Sequence, residues 1–225
     1  MEPELNFINF STQVVIPRLL EGMTVTLQLA IISGIIGFLL GMLIAFFRIS
    51  RSSFLSIPAR IYINLFRGTP LLLQILFIYF ALPTIVNITL DSFPAGILAL
   101  SLNAAAYLAE IFRAAIESIP KGQFEAARAL GLSHYQTMFK VIIPQTYRRI
   151  IPPVVNEFSS LTKETSLVSV ISLSELLYVT QRIGAKFLRP WEVYFWAAVG
   201  YLIIVLLLSA FANRLEDKLL KQGGV

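Results

Sequence analysis

The sequence has no cysteine, one histidine, and charge on only 14% of its 225 residues. Without cysteine there are no disulfides and no thiolates for metal or redox chemistry. His134 has no further ligands at metal-binding spacing and reads as a solvated loop residue. A membrane-embedded enzyme would need a nucleophile with its base, or a metal, and neither is offered. No GxxxxGK[ST] phosphate loop occurs, so any ATP hydrolysis belongs to another polypeptide. The first twenty residues have neither a basic n-region nor a small-residue cleavage pattern, so no removable signal peptide is expected and the first span is expected to serve as the insertion signal.

Apolar residues are what the sequence has in excess. They make up 56% of the chain, against about 45 to 50% in soluble domains, and the mean hydropathy is +0.76. Several runs of about 20 residues carry few charges, which is the length that crosses roughly 30 Å of hydrocarbon at 1.5 Å per residue. The pattern predicts an all-α integral membrane protein, one transmembrane domain over 1–225, with about five spans at 24–47, 58–83, 93–118, 152–173 and 191–212. Residues 5–20 are too polar to span and are expected to rest at the bilayer interface. Gly34, Gly37 and Gly41 in the first span allow a neighbouring helix to come close. In the second span Pro70 removes a backbone donor and disfavours helix at Thr69, so the helix either breaks there or begins there.

The excess of 18 Lys and Arg over 13 Asp and Glu bears on orientation rather than on nucleic acid, which is not an expected partner. Thirteen basic residues fall in the regions 48–67, 113–149 and the C-terminal tail, and four in the opposite loops, with Lys163 unassigned. The positive-inside rule then puts the N-terminus outside and the C-terminus and the long 121–149 loop in the cytoplasm. That loop sets Glu125, Arg128, His134 and Lys140 among apolar residues at helical spacing, which predicts two short amphipathic helices. Helix formers from Glu125 to Leu130 end at Gly131, a natural stop. Trp191, Tyr194, Trp196 and Tyr201 read as an aromatic belt at the outer end of the last span.

Glu125, Ala126, Ala127, Gly131, Val141, Ile143 and Pro144 reproduce the spacing of the EAA loop of ABC importer membrane subunits, with Val141 and Ile143 replacing the usual Ile and Leu. Arg67-Gly68-Thr69-Pro70-Leu71-Leu72, Ala106 to Arg113, Ser118 to Gln123 and Leu161 to Leu167 follow in the same register. Over about residues 20 to 215 the chain resembles the polar amino-acid subfamily of type I importer permeases. The resemblance implies a two-fold dimer in a bacterial or archaeal cytoplasmic membrane, alternating access, a separate ABC ATPase dimer that holds ATP and Mg, and an extracytoplasmic amino-acid-binding protein. The absence of anything asymmetric in the chain favours a homodimer. Glu125, Ala126, Ala127 and Gly131 are then the residues that couple to the ATPase. A stand-alone secondary transporter or channel is the alternative; it needs no docking loop and usually shows internal repeats, none of which occurs here.

Ionisable and amide residues inside spans mark the substrate pathway, since each charge costs roughly 2.5 to 3.5 kcal/mol at a helix centre. The candidates are Asn103, Glu110, Glu157, Lys163 and Glu164. Helical rise brings Asn103, Lys163 and Glu164 to similar depth, where they have the opportunity to meet. Each has a second reading: Lys163, Glu164 and Glu157 as partners of one another or of Arg113, Glu110 and Arg113 as an intrahelical brace, and Asn103 as contact between helices. Four acidic against two basic residues around spans three and four lean toward a cationic amino acid, with glutamine or another polar amino acid close behind.

Overall fold

A computed structural model describes residues 6–222, and all regular structure among them is helical. Helix α1 runs from Phe7 to Ile49, α2 from Ser53 to Gly68, α3 from Leu71 to Val86, and α4 from Ser92 to Glu117. Helix α5 (Lys121–Ala129) is followed by α6, unbroken over 134–164, which tightens into a 3-10 turn over Thr165–Ile171. Helices α7 (Leu176–Phe187) and α8 (Pro190–Gln222) complete the chain. Three of these, α1, α4 and Pro190–Phe211 of α8, are long and apolar enough to cross a membrane, and α2 with α3 forms a bent pair that would make a fourth span. Helix α6 is too polar to be counted on composition alone.

Prolines shape the long helices in a repeated way. Ser11–Val15, Phe77–Ala81 and Met138–Ile142 are single wide turns, each followed two residues later by a proline: Pro17, Pro83 and Pro144. Each proline lacks the N–H that the carbonyl four residues back requires, and its ring crowds that carbonyl. The residue just before it donates five residues back instead, Ile16 to Ser11, Leu82 to Phe77 and Ile143 to Met138. The helix widens and continues rather than breaking. For this reason the second amphipathic helix of the 121–149 loop is continuous with the expected fourth span, which begins well before Pro152. Likewise residues 7–20 are not a separate helix but the first turns of α1.

At 43 residues α1 is about 65 Å long, twice the hydrocarbon thickness. Its first turns pack on α7 and α8, where Phe10, Val15 and Leu19 are buried with Leu176, Ile183 and Val193. Phe7 stacks on Trp191 at 5.6 Å, and the Trp196 indole donates to Ser11 Oγ at 2.8 Å. Glu175, fully buried, fastens the same corner. Its carboxylate accepts from the Leu177 and Tyr178 amides that open α7 and from the Tyr201 hydroxyl of α8, while Thr26 of α1 accepts from the Leu176 amide. Trp191 and Tyr194 are exposed, as a belt requires; Trp196 and Tyr201 instead spend their polar atoms inside the protein.

The centre of the fold is the contact of α1 with α4. A Cβ on Gly37 would lie 2.9 Å from the Ala104 methyl, and one on Gly41 would lie 2.8 Å from Leu108 and 3.0 Å from the Ala105 carbonyl. On Gly34 it would strike the Phe158 ring of α6. The opposing stripe of α4, with Ser101, Ala104, Ala105, Leu108 and Ala109, is buried. Small residues on both sides bring the backbones within dispersion range, which is how helices associate where lipid supplies no hydrophobic drive. Gly37→Val is expected to cost about 1 to 3 kcal/mol from overpacking and to lower the Tm of the purified complex. Gly68→Ala, where an added methyl meets nothing within 4 Å, leaves Tm unchanged.

Candidate functional site

The bend between α2 and α3 is 106° and falls at Gly68-Thr69-Pro70. Thr69 is extended, as a residue before proline prefers. Because Pro70 has no N–H, the Phe66 carbonyl loses its helical donor. Two side-chain amides supply the bonds. Gln74 Nε2 donates to Phe66 O at 2.8 Å and to Thr69 Oγ1 and O at 2.9 and 3.1 Å. Asn103 Nδ2 donates to Gln74 Oε1 at 3.0 Å and, more weakly, to Phe66 O at 3.4 Å. Asn103 is therefore engaged between helices, and it meets Gln74 rather than Lys163 or Glu164. Gln74 was not singled out from the sequence; the available signal was an amide at the fourth position after a span-breaking proline.

Glu110 is also committed. Arg113 Nε donates to it at 3.0 Å, a second Arg113 nitrogen bonds it closely, and Arg67 approaches to 3.8 Å. Arg113 also bonds Glu117, completing the brace along α4. The Arg67 guanidinium lies 5.2 Å from the Tyr107 ring centroid, a cation–π distance. The Arg-Gly-Thr-Pro bend is thus tied to α4 at both its amide and its guanidinium end.

Glu157, Lys163 and Glu164 differ from these. Among the described residues none of their side chains forms a hydrogen bond or an ion pair within 4 Å, and Arg113 is already taken. Glu157 and Glu164 are half-buried and seven residues apart, hence on one face of α6, while Lys163 is exposed. Arg67 is the cation that acts on Glu157 through space. Lys163 acts in the same way on Glu164, and two half-buried carboxylates outside any hydrogen bond or ion pair form a surface able to receive a cation.

On the opposite side of the polypeptide, α5 exposes Glu125 and Ala126 and buries Ala127. The Gly131 amide donates to Arg128 O at 2.9 Å and the Leu132 amide to Ala127 O at 3.1 Å, the paired bonds of a Schellman stop with Gly131 in the left-handed region at φ +80°. Ser133 then opens α6 with a capping box to Gln136. Ile119, Met138 and Ile142 pack under the loop with Phe124, and Arg149 donates to the Ser118 carbonyl and hydroxyl at 2.7 and 2.8 Å. The loop is a rigid extension of α4 and α6 that leaves Leu130, Tyr135 and the Glu125 face uncovered.

Long apolar helices around a small-residue core, an irregular polar bend at depth and a stiff, partly apolar handle define a membrane transport subunit. The chain belongs to the binding-protein-dependent transport system inner membrane component family, whose sequence profile matches residues 37–221, and it is a permease subunit of an ABC importer. It is 40% identical to the arginine transport system permease protein ArtQ of Bacillus subtilis (strain 168), over 91% of this chain and 93% of that one. It is 43% identical to the L-cystine transport system permease protein TcyB of the same organism, over 90% and 87%. A crystal structure of an amino acid ABC transporter with histidines superposes with a TM-score of 0.88 at 36% identity, covering 95% of this chain and 99% of that one.

Two predictions follow from the bend and the stop. Gln74→Met leaves the Phe66 carbonyl and the Asn103 amide short of partners and is expected to cost about 1 to 3 kcal/mol, read as a lower Tm of the complex. Gly131→Val forces a branched side chain into the left-handed region, at a cost of about 1 to 2 kcal/mol. Amide exchange over residues 121–132 should quicken while that of α4 stays constant.

Proposed function

We propose that this chain forms the membrane channel of an importer for polar, preferentially basic, L-amino acids, worked by alternating access. The feature that carries the reading is α5, uncovered at Glu125, Ala126 and Leu130 yet locked to the ends of α4 and α6 beneath. A rigid handle of this kind transmits the closure of a separate ABC ATPase dimer to the bundle as a rigid-body movement. ATP and Mg belong to that partner, and Glu125, Ala126, Ala127 and Gly131 are the coupling residues of this chain. An extracytoplasmic binding protein delivers substrate, and two copies of the chain make the pathway between them. The charge distribution favours the N-terminus outside and the handle in the cytoplasm. Helix α6 with its 3-10 turn then counts as a span despite its polarity, since it lines the pathway rather than facing lipid, and the total is five.

In the pathway, Glu157 and Glu164 receive the cationic groups of the substrate, and Lys163 and the Arg-Gly-Thr-Pro bend stand near enough in sequence and fold to meet its carboxylate. Asn103 and Glu110 serve by holding the bend. The names of the relatives, arginine and cystine permeases, support an amino-acid cargo, and the two unpartnered carboxylates support a basic one.

Permease, ATPase and binding protein reconstituted together in liposomes should accumulate labelled amino acid only with ATP. Glu157→Gln removes a charge-assisted contact worth about 1.5 to 3 kcal/mol, so arginine uptake should fall at least tenfold while glutamine uptake changes little. Equal loss for both would remove the charge-recognition role. Uptake by the permease alone would instead favour a stand-alone transporter.

A further inference from the structure

Where α1 ends, Arg48 and Arg51 turn toward α5 and the start of α6, and a cavity of about 1140 Å³ opens between them. Arg48, Arg51, Lys121 and His134 line it. Neither arginine nor Lys121 forms an ion pair among the described residues. The one carboxylate in the wall, Glu117, is already bonded to Arg113. Arg48 acts on Glu110 only through space, and Arg51 and Lys121 are exposed. The rest of the wall is mostly apolar, with Phe46, Phe47, Phe124 and Phe139 beside Ser50 and Tyr135.

A second cavity of about 420 Å³ shares Phe46 and Ile116 with the first. It is lined almost wholly by hydrocarbon, from Phe38 and Met42 on α1 to Ile150 and Val154 on α6. From Phe46 to Phe38 is eight residues of helix, about 12 Å along α1 into the apolar part of the span. A cluster of cations outside any ion pair at a helix end, joined to an apolar groove running along the span, has the polarity of a phospholipid. A soluble anion has no use for the groove, and a protein segment has no use for a groove reaching to membrane depth.

We propose that this composite cavity is a binding site for one anionic phospholipid, its phosphate held by Arg48, Arg51 and Lys121 and one acyl chain laid between α1 and α6. Basic pockets between spans on the cytoplasmic side are suited to such headgroups. The site rests on the orientation above only for which leaflet supplies the lipid. Because Arg51 follows the end of α1 and Lys121 opens α5, the headgroup joins the first span to the base of α5.

The test uses the purified permease–ATPase complex, delipidated in detergent and titrated with phosphatidylglycerol or phosphatidylcholine under native mass spectrometry, a readout independent of orientation and of transport. One phosphatidylglycerol per permease chain should bind in preference to phosphatidylcholine. Each neutralised cation weakens anionic binding about fivefold, so R48Q/R51Q should lose about twenty-five-fold. R182Q/K186Q, an equal loss of charge at exposed positions in α7, should lose nothing. R51Q/K121Q repeats the test at two exposed positions should the first pair fold poorly. Met42→Trp, which fills the groove, should weaken the lipid as well. Equal binding of the two lipids, equal loss in R182Q/K186Q, or displacement of the lipid by inorganic phosphate would overturn the proposal. So would release of the ATPase by R48Q/R51Q with lipid binding intact, which would assign the surface to the ATPase.

Discussion

The backbones of α1 and α4 touch, and nearly every other feature is placed by that contact. Gly37 and Gly41 have no side chains to hold Ala104, Ala105 and Leu108 away, so α4 sits deep enough to be surrounded. With α4 central, its Asn103 reaches the break between α2 and α3, its Glu110 reaches Arg67, and its C-terminal end carries the α5 handle. The contact rests mainly on dispersion and shape, with one long hydrogen bond from Ser33 Oγ to the Ile97 carbonyl at 3.5 Å; lipid would solvate leucine side chains as well as another helix does. A bundle held this way is stable where it is close-packed and free to move where it is not.

Proline acts in two opposed ways in this chain, and the difference is one of neighbours. At Pro17, Pro83 and Pro144 the preceding residue bonds five residues back, and the helix continues. At Pro70 the chain turns through 106°, because Gln74 and Asn103 satisfy the carbonyl that the helix gives up. A backbone group orphaned within the hydrocarbon region is tolerated only when protein satisfies it. The amide pair is thus the condition for having irregular backbone between α2 and α3.

The handle and the pathway are linked through covalent continuity rather than through a relay of small contacts. Helix α6 begins beneath α5 and carries Glu157 and Glu164 without a break, while Arg149 and the Ile119, Met138 and Ile142 cluster prevent it from pivoting freely. The base of the handle and the two carboxylates therefore sit on one continuous helix.

Much of this was legible in the residues. The apolar runs located α1, α4 and α8, the glycine spacing in α1 marked its packing face, Gly131 marked the end of α5, and the ordered motifs identified the family. These are local or periodic properties, carried by residues close in sequence. What escaped was whatever depends on a partner distant in sequence: that Gln74 answers Pro70 together with Asn103, that Glu175 knots α1, α7 and α8, and that Glu157 and Glu164 form no hydrogen bond or ion pair. Whether a proline bends a helix or merely widens it is of the same kind. Sequence determines which backbone groups and charges need partners; only the packed tertiary structure decides which of them find one, because that choice is made by distance.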